Sequence, residues 1–175
     1  NLERPNAQMD TEGLDAIVLR SGQNFTYPTG VVYPGTLARL QDLTDSARGV
    51  LQLWPRRGKP VIIANKTAAG LARRDSRIDR IELYEGYVES PYQRLVDVLR
   101  SIGLASAKIG LEKDYVSARD WELVADSLPS ARLDDCSAMM NRVRWIKTRA
   151  EVELIRKAAD LLDDAYRRVF ARIRP

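Results

Sequence analysis

Apolar positions recur with two different spacings along the chain, and the changes of spacing mark out its elements. Residues 14–19, 50–54 and 60–64 are short apolar runs of strand type. Residues 80–84 alternate polar and apolar, the period of a strand with one face buried. The intervening Pro55-Arg56-Arg57-Gly58-Lys59 is a turn, so 50–64 reads as a β-hairpin. Residues 108–112 predict a further strand and 131–134 a short last one. Between the strands the spacing lengthens to that of helices. Residues 2–12 predict a helix that tolerates Pro5 in its first turn and stops at Gly13, and 66–74 predict another. Ser90-Pro91-Tyr92-Gln93 opens a clear helix, with Ser90 as N-cap, Pro91 first and Gln93 completing a capping box. Its inner face is Leu95, Val98, Leu99 and Ile102, and Gly103 stops it. Ser117 caps the next helix, which turns Trp121, Val124, Ala125 and Leu128 inward and ends at Pro129. Residues 21–48 are the least regular part. There 24–30 is expected to be a loop with a short helical turn, and Leu37, Leu40, Thr44 and Ala47 are spaced as one face of a helix.

The last segment has a different character. Thr148-Arg149-Ala150-Glu151 is a capping box. Val152, Ile155, Ala159, Leu162, Tyr166, Val169 and Ile173 follow it at alternating spacings of three and four. They form one apolar stripe on a helix of about 25 residues, roughly 37 Å long. A coiled coil is disfavoured, because the stripe holds a single leucine and lacks consistent flanking charge pairs. The stripe is expected to pack on a domain outside this sequence, or partly across this one. The order of elements predicts a layered α/β domain with a mixed sheet, since a hairpin interrupts the strand–helix alternation.

Composition removes more functions than it suggests. The chain has 175 residues, 45% apolar and 30% charged, which is enough for a packed core. No apolar run approaches the ~18 residues needed to span a bilayer, and the polar start predicts no signal peptide. Asn1 at the start and Ile173-Arg174-Pro175 at the end are expected to be boundaries inside a longer protein. The single cysteine, Cys136, excludes an internal disulfide and fits a cytoplasmic protein. There is no histidine. Ser-His-Asp and Cys-His catalysis are therefore absent, as is the usual nitrogen ligand of transition metals. No phosphate-binding or dinucleotide-binding glycine motif occurs. Net charge is +4, but the basic groups at Arg73, Arg74, Arg77 and Arg80, and at Arg142, Arg144, Lys147 and Arg149, alternate with Asp75, Asp79, Glu151 and Glu153. They read as solvated faces and not as a nucleic-acid surface.

Three stretches resemble one family. Gly13-Leu14-Asp15-Ala16-Ile17-Val18 followed by Asn24-Phe25-Thr26-Tyr27-Pro28-Thr29-Gly30 resembles the opening of creatinase/prolidase N-terminal domains. Lys108-Ile109-Gly110-Leu111-Glu112 resembles their "IG-x-E" strand. Residues 144–158, from Arg144-Trp145-Ile146-Lys147-Thr148 to Arg156-Lys157-Ala158, resemble the junction that joins this domain to the catalytic one. The resemblance implies a three-layer α/β/α domain over 1–142, with a mixed sheet of five to six strands in ribonuclease-H-like order. Residues 143–175 would be the junction and long helix leading to a catalytic domain absent from this sequence.

It also implies a function. The whole protein would be a metal-dependent Xaa-Pro peptidase of the aminopeptidase P or prolidase kind, dimeric and cytoplasmic, with two divalent ions (Mn, Zn or Co) in the absent domain. This chain would carry no catalytic residue, metal or other cofactor of its own. Its partners would be its own catalytic domain, a second copy and, in the whole protein, a short peptide or small-molecule substrate, with neither nucleic acid nor membrane. It would shape substrate access, for which Tyr27, Tyr33 and Arg39 in the irregular stretch are the candidates. An arginine there pairs with a substrate carboxylate and a tyrosine walls a pocket. Three other readings remain: the N-terminal domain of a creatinase-like amidinohydrolase, a peptide- or protein-binding module of an inactive relative, and a free-standing nucleic-acid-processing domain. The last would need Asp15, Glu82 and Glu112, which are dispersed in sequence, to meet at a metal.

Overall fold

The computed structural model describes residues 3–32 and 49–173. By its internal contacts the chain divides into two units, Asn1–Val143 and Arg144–Pro175.

In the first unit the elements follow in order as α1 (Glu3–Glu12), β1 (Ala16–Arg20), α2 (Gln23–Thr29), β2 (Leu51–Pro55) and β3 (Val61–Asn65). A 3₁₀ turn (Lys66–Ala68) then leads into α3 (Ala69–Asp75), β4 (Arg80–Tyr84), α4 (Pro91–Ser101), β5 (Lys108–Leu111), α5 (Ala118–Ser127) and β6 (Arg132–Asp135). Helix α6 (Ser137–Trp145) runs across the division between the units. The six strands form one sheet in the order β4-β3-β2-β1-β5-β6. β2 is antiparallel to both neighbours, and β1/β5, β5/β6 and β3/β4 are parallel. This is the mixed sheet the alternation predicted, hairpin included: Leu51 faces Ile63, Gln52 faces Ile62 and Leu53 faces Val61.

Both faces of the sheet are covered, and the period of two decides which residue serves which face. Ala16, Val18, Leu51, Leu53, Val61, Ile63, Ile109 and Leu111 turn toward α4 and α5, where Tyr92, Leu95, Val98, Leu99, Val124 and Leu128 meet them. Ile17, Leu19, Trp54, Ile62 and Ala64 turn the other way, toward Met9 of α1, Phe25 of α2, Ala72 of α3 and Met139, Met140 and Val143 of α6. The result is three layers, α/β/α.

Three local expectations are revised. Residues 23–29 form a full helix, because burial of Phe25, Pro28 and Thr29 holds them in place and Gly30 closes it at φ 78°. Ser90 caps α4 by accepting the Tyr92 amide at 3.2 Å, a turn that does not involve Gln93. Helix α6 had no counterpart in the sequence reading.

In the second unit, helix α7 (Arg149–Phe170) runs for 22 residues, roughly 33 Å. Its capping box is complete: Thr148 Oγ1 accepts the Glu151 amide at 3.2 Å, and Glu151 Oε2 accepts the Thr148 amide at 2.6 Å. No residue of α7 is buried.

Candidate functional site

Parallel pairing sets the ends of β1 and β5 side by side, with Val18 opposite Leu111. From there the two chains part. β1 turns into α2 on the face that holds Phe25, and β5 leads to α5 on the face that holds Val124. A parallel sheet opens a crevice where successive connections leave for opposite faces, and ligands of such folds gather there.

The charged group at this point is Glu112, directly after β5, only 3% exposed. Its Oε2 accepts the backbone N–H of Arg20 at 2.7 Å, and its Oε1 accepts the Asn24 side-chain amide, also at 2.7 Å. One carboxylate therefore ties together the ends of β1 and β5 and the first turn of α2. Its pKa is raised to about 7, chiefly by burial, with Asp114 and Asp135 adding to the rise and the two N–H donors opposing it. Asp135, at the end of β6, behaves oppositely. Burial raises it, but the Ser137 amide at 2.9 Å, the Ser137 hydroxyl at 2.7 Å and the Lys113 amide at 3.1 Å outweigh that and hold it below its ordinary value.

Beside this cluster lies a cavity of about 10 Å³ lined by Arg20, Gly49, Leu51, Tyr92, Tyr115, Ser117 and Asp120, the room of a single water. Burial holds the Tyr92 phenol well above its ordinary value, and Asp120 adds to it. A shallower groove of about 370 Å³ runs past Asp120 to Tyr87, Val88, Arg119 and Leu123. Tyr87 stands there exposed in the left-handed conformation, φ 69°. Chemically, the crevice is a clasp, in which both Glu112 oxygens are occupied by N–H groups.

Of the residues expected to shape access, Tyr27 is half-buried on α2 and packs against the core around Met9 and Phe25. Tyr33 and Arg39 lie outside the described residues. Asp15, Glu82 and Glu112 do not meet. Asp15 pairs with Arg56 at 2.9 Å before β1, and Glu82 pairs with Arg80 at 2.8 Å on the edge strand β4. Among the described residues no group of three or more His, Cys, Asp or Glu could hold a metal ion. The sequence reading quoted Asn24 and Glu112 in separate motifs without joining them. Their place just past neighbouring strands, one in each motif, was the signal that could have done so.

The family model of the creatinase/prolidase N-terminal domain matches residues 2–146. The chain belongs to that family. An uncharacterized hydrolase/peptidase, y4tL, of Sinorhizobium fredii is 29% identical over 99% of this creatinase/prolidase-type chain and 45% of its own length. The ectoine hydrolase of Halomonas elongata is 26% identical over 99% of the chain and 44% of its own. The chain thus spans less than half the length of these curated relatives. Among solved structures, the Xaa-Pro dipeptidase from Bacillus anthracis superposes with a TM-score of 0.72, at 18% identity, over 99% of this chain and 43% of that one. At that identity the likeness speaks for the fold.

Proposed function

We propose that this chain is the non-catalytic N-terminal domain of a metal-dependent hydrolase acting on Xaa-Pro peptides, and that it shapes substrate access and dimerisation while a second domain performs the hydrolysis. The observation that carries this reading is the family match over 2–146 in a chain that covers less than half of its relatives. Dipeptidases and prolidases among the structural neighbours support the peptide substrate. The described residues do not fit a dinuclear metal centre, so the two divalent ions belong to the second domain, where such ions activate water and polarise a carbonyl. Tyr27, Tyr33 and Arg39 belong to this proposal as residues that narrow the approach to the substrate. A cytoplasmic location is part of it too; among the described residues no helix is long and apolar enough to cross a membrane.

The ectoine hydrolase relative favours a second reading, in which the substrate is a small amide-like molecule and not a peptide. One set of assays separates the two. The whole protein, metal-loaded, is given Xaa-Pro dipeptides, longer Xaa-Pro peptides, ectoine and creatine, beside the 175-residue chain. Cleavage of Xaa-Pro bonds by the whole protein, with an inert 175-residue chain, is expected. Turnover of ectoine or creatine alone establishes the second reading. Metal-dependent peptide cleavage by the short chain overturns the non-catalytic role.

A further inference from the structure

The groove beside the starts of α4 and α5 contains a charge that the fold leaves unmatched. Asp120 lines both the small cavity and the groove, yet only 5% of it is exposed. The Ser117 hydroxyl donates to its Oδ2 at 2.6 Å. Among the described residues no group donates to Oδ1, and Asp120 forms no ion pair. A carboxylate so enclosed ordinarily has a cation or a full set of donors. Its neighbours do not supply them. Arg20 lines the cavity but not the groove, and its Nη1 donates to the Tyr115 carbonyl at 3.2 Å. Glu89, the other acid of the groove, is already paired with Arg94 at 3.0 Å.

The rest of the lining narrows what could match Asp120. Arg119, the preceding residue, is exposed and forms no ion pair among the described residues. Tyr87 and Val88 are 69% and 83% exposed, and with Leu123 they form an apolar wall. An enclosed acid, a solvent-side base and an apolar wall are the complement of a zwitterion with an apolar side chain. A lysine of a protein partner would satisfy Asp120 and leave Arg119 unmatched. The volume, about 370 Å³, lies at the lower end of ligand pockets and suits a molecule of dipeptide size.

We propose that this groove binds short peptides by their charged termini, with Asp120 receiving the free N-terminal ammonium and Arg119 the C-terminal carboxylate. Tyr87, Val88 and Leu123 cover the apolar side chains. Every residue of the site belongs to the α/β unit, and binding is measured without hydrolysis. The proposal therefore stands or falls separately from the function proposed above.

The test is an amide NMR titration of this chain at pH 7 with leucyl-leucine, N-acetyl-leucyl-leucine, leucyl-leucinamide and N-acetyl-lysinamide. The free dipeptide is expected to move the amides of Tyr87, Val88, Arg119 and Leu123, saturating with a Kd of about 1 mM. Acetylating its amine should weaken binding roughly tenfold, because the charge facing the enclosed carboxylate is lost. Amidating its carboxylate should weaken binding only about threefold, because Arg119 is exposed. R119A should make the acid and the amide bind alike, and D120N should abolish the preference for the free amine. If D120N does not fold, the free and acetylated dipeptides on the wild type decide. Groove amides that stay still, or an acetylated dipeptide bound as tightly as the free one, overturn the proposal. N-acetyl-lysinamide bound as tightly as leucyl-leucine overturns it too, and assigns the groove to a basic side chain of a protein partner.

Discussion

Gly110 lies within β5, where neighbouring side chains leave little room for another. A Cβ on it would lie 2.8 Å from the Cys136 Cβ and 3.2 Å from both Ile17 Cγ2 and Leu14 Cδ1. All three neighbours are buried, and the nearest is a Cβ, which can move only with its own backbone. Gly110→Ala is therefore expected to lower stability by about 1–3 kcal/mol through overpacking, read as a lower urea midpoint with an unchanged slope. Two residues on, Glu112 makes a prediction of different kind. Its folded-state pKa is about 7 against an ordinary 4.5, so in that interval the folded chain holds a proton the unfolded chain has lost. Stability from this group is complete below pH 4.5 and is lost as the pH rises through 7. The difference is about 3 kcal/mol. Denaturation midpoints measured at intervals between pH 4.5 and 8 should show this fall in the wild type. In Glu112→Gln the fall should be absent.

The elements differ in how plainly residues announce them. Strands β1, β2 and β3 were legible because both faces are buried, which leaves short runs of Val, Ile and Leu broken by turn residues. Helices α4, α5 and α7 were legible from Ser90, Ser117 and Thr148, each of which accepts a backbone amide in the folded chain. Helix α6 was not. Its buried residues are Ser137, Met139, Met140 and Val143, set among Asn141, Arg142 and Arg144. Two of its apolar positions are adjacent, so no stripe emerges, and tertiary burial against Ile17 and Met9 supplies what local pattern lacks. Helix α2 was half-legible for the same reason: Pro28 argues against a helix, and the packing of Phe25 overrides it. The clasp at Glu112 was out of reach of periodicity altogether, since its partners Arg20 and Asn24 are 92 and 88 positions away. The capping box of α7 gives a prediction confined to one element. Thr148→Ala removes the acceptor for the Glu151 amide and should cost about 1 kcal/mol of helix stability. In a peptide spanning 144–173, circular dichroism should show lower helix content than the parent peptide at the same temperature.

At the scale of the molecule, the apolar surface is unevenly distributed between the two units. The two core clusters draw all their buried residues from between Met9 and Val143. A chain ending at Val143 keeps every one of them and is expected to unfold cooperatively. Helix α7 has the opposite character. Ile155, Leu162, Tyr166 and Val169 lie along the stripe read from the sequence, and Leu154 and Leu161 lie beside it; all six are more than half exposed. Placed at 100° per residue, with Ala158 and Ala165 between them, they cover about 140° of the circumference, wider than the seam of a two-stranded coiled coil. A face that wide suits a core built from several elements, which is the reason for assigning it to the second domain of the proposed hydrolase. In the 175-residue chain it should behave as a sticky surface. Sedimentation is expected to show self-association that rises with concentration, accompanied by strong binding of an apolar dye. Replacing Leu154, Leu161 and Leu162 with Glu, or ending the chain at Val143, should abolish both while leaving cooperative unfolding intact. Dye binding that persists in the shortened chain would place the sticky surface in the α/β unit instead, and α7 would then need no second domain to cover it.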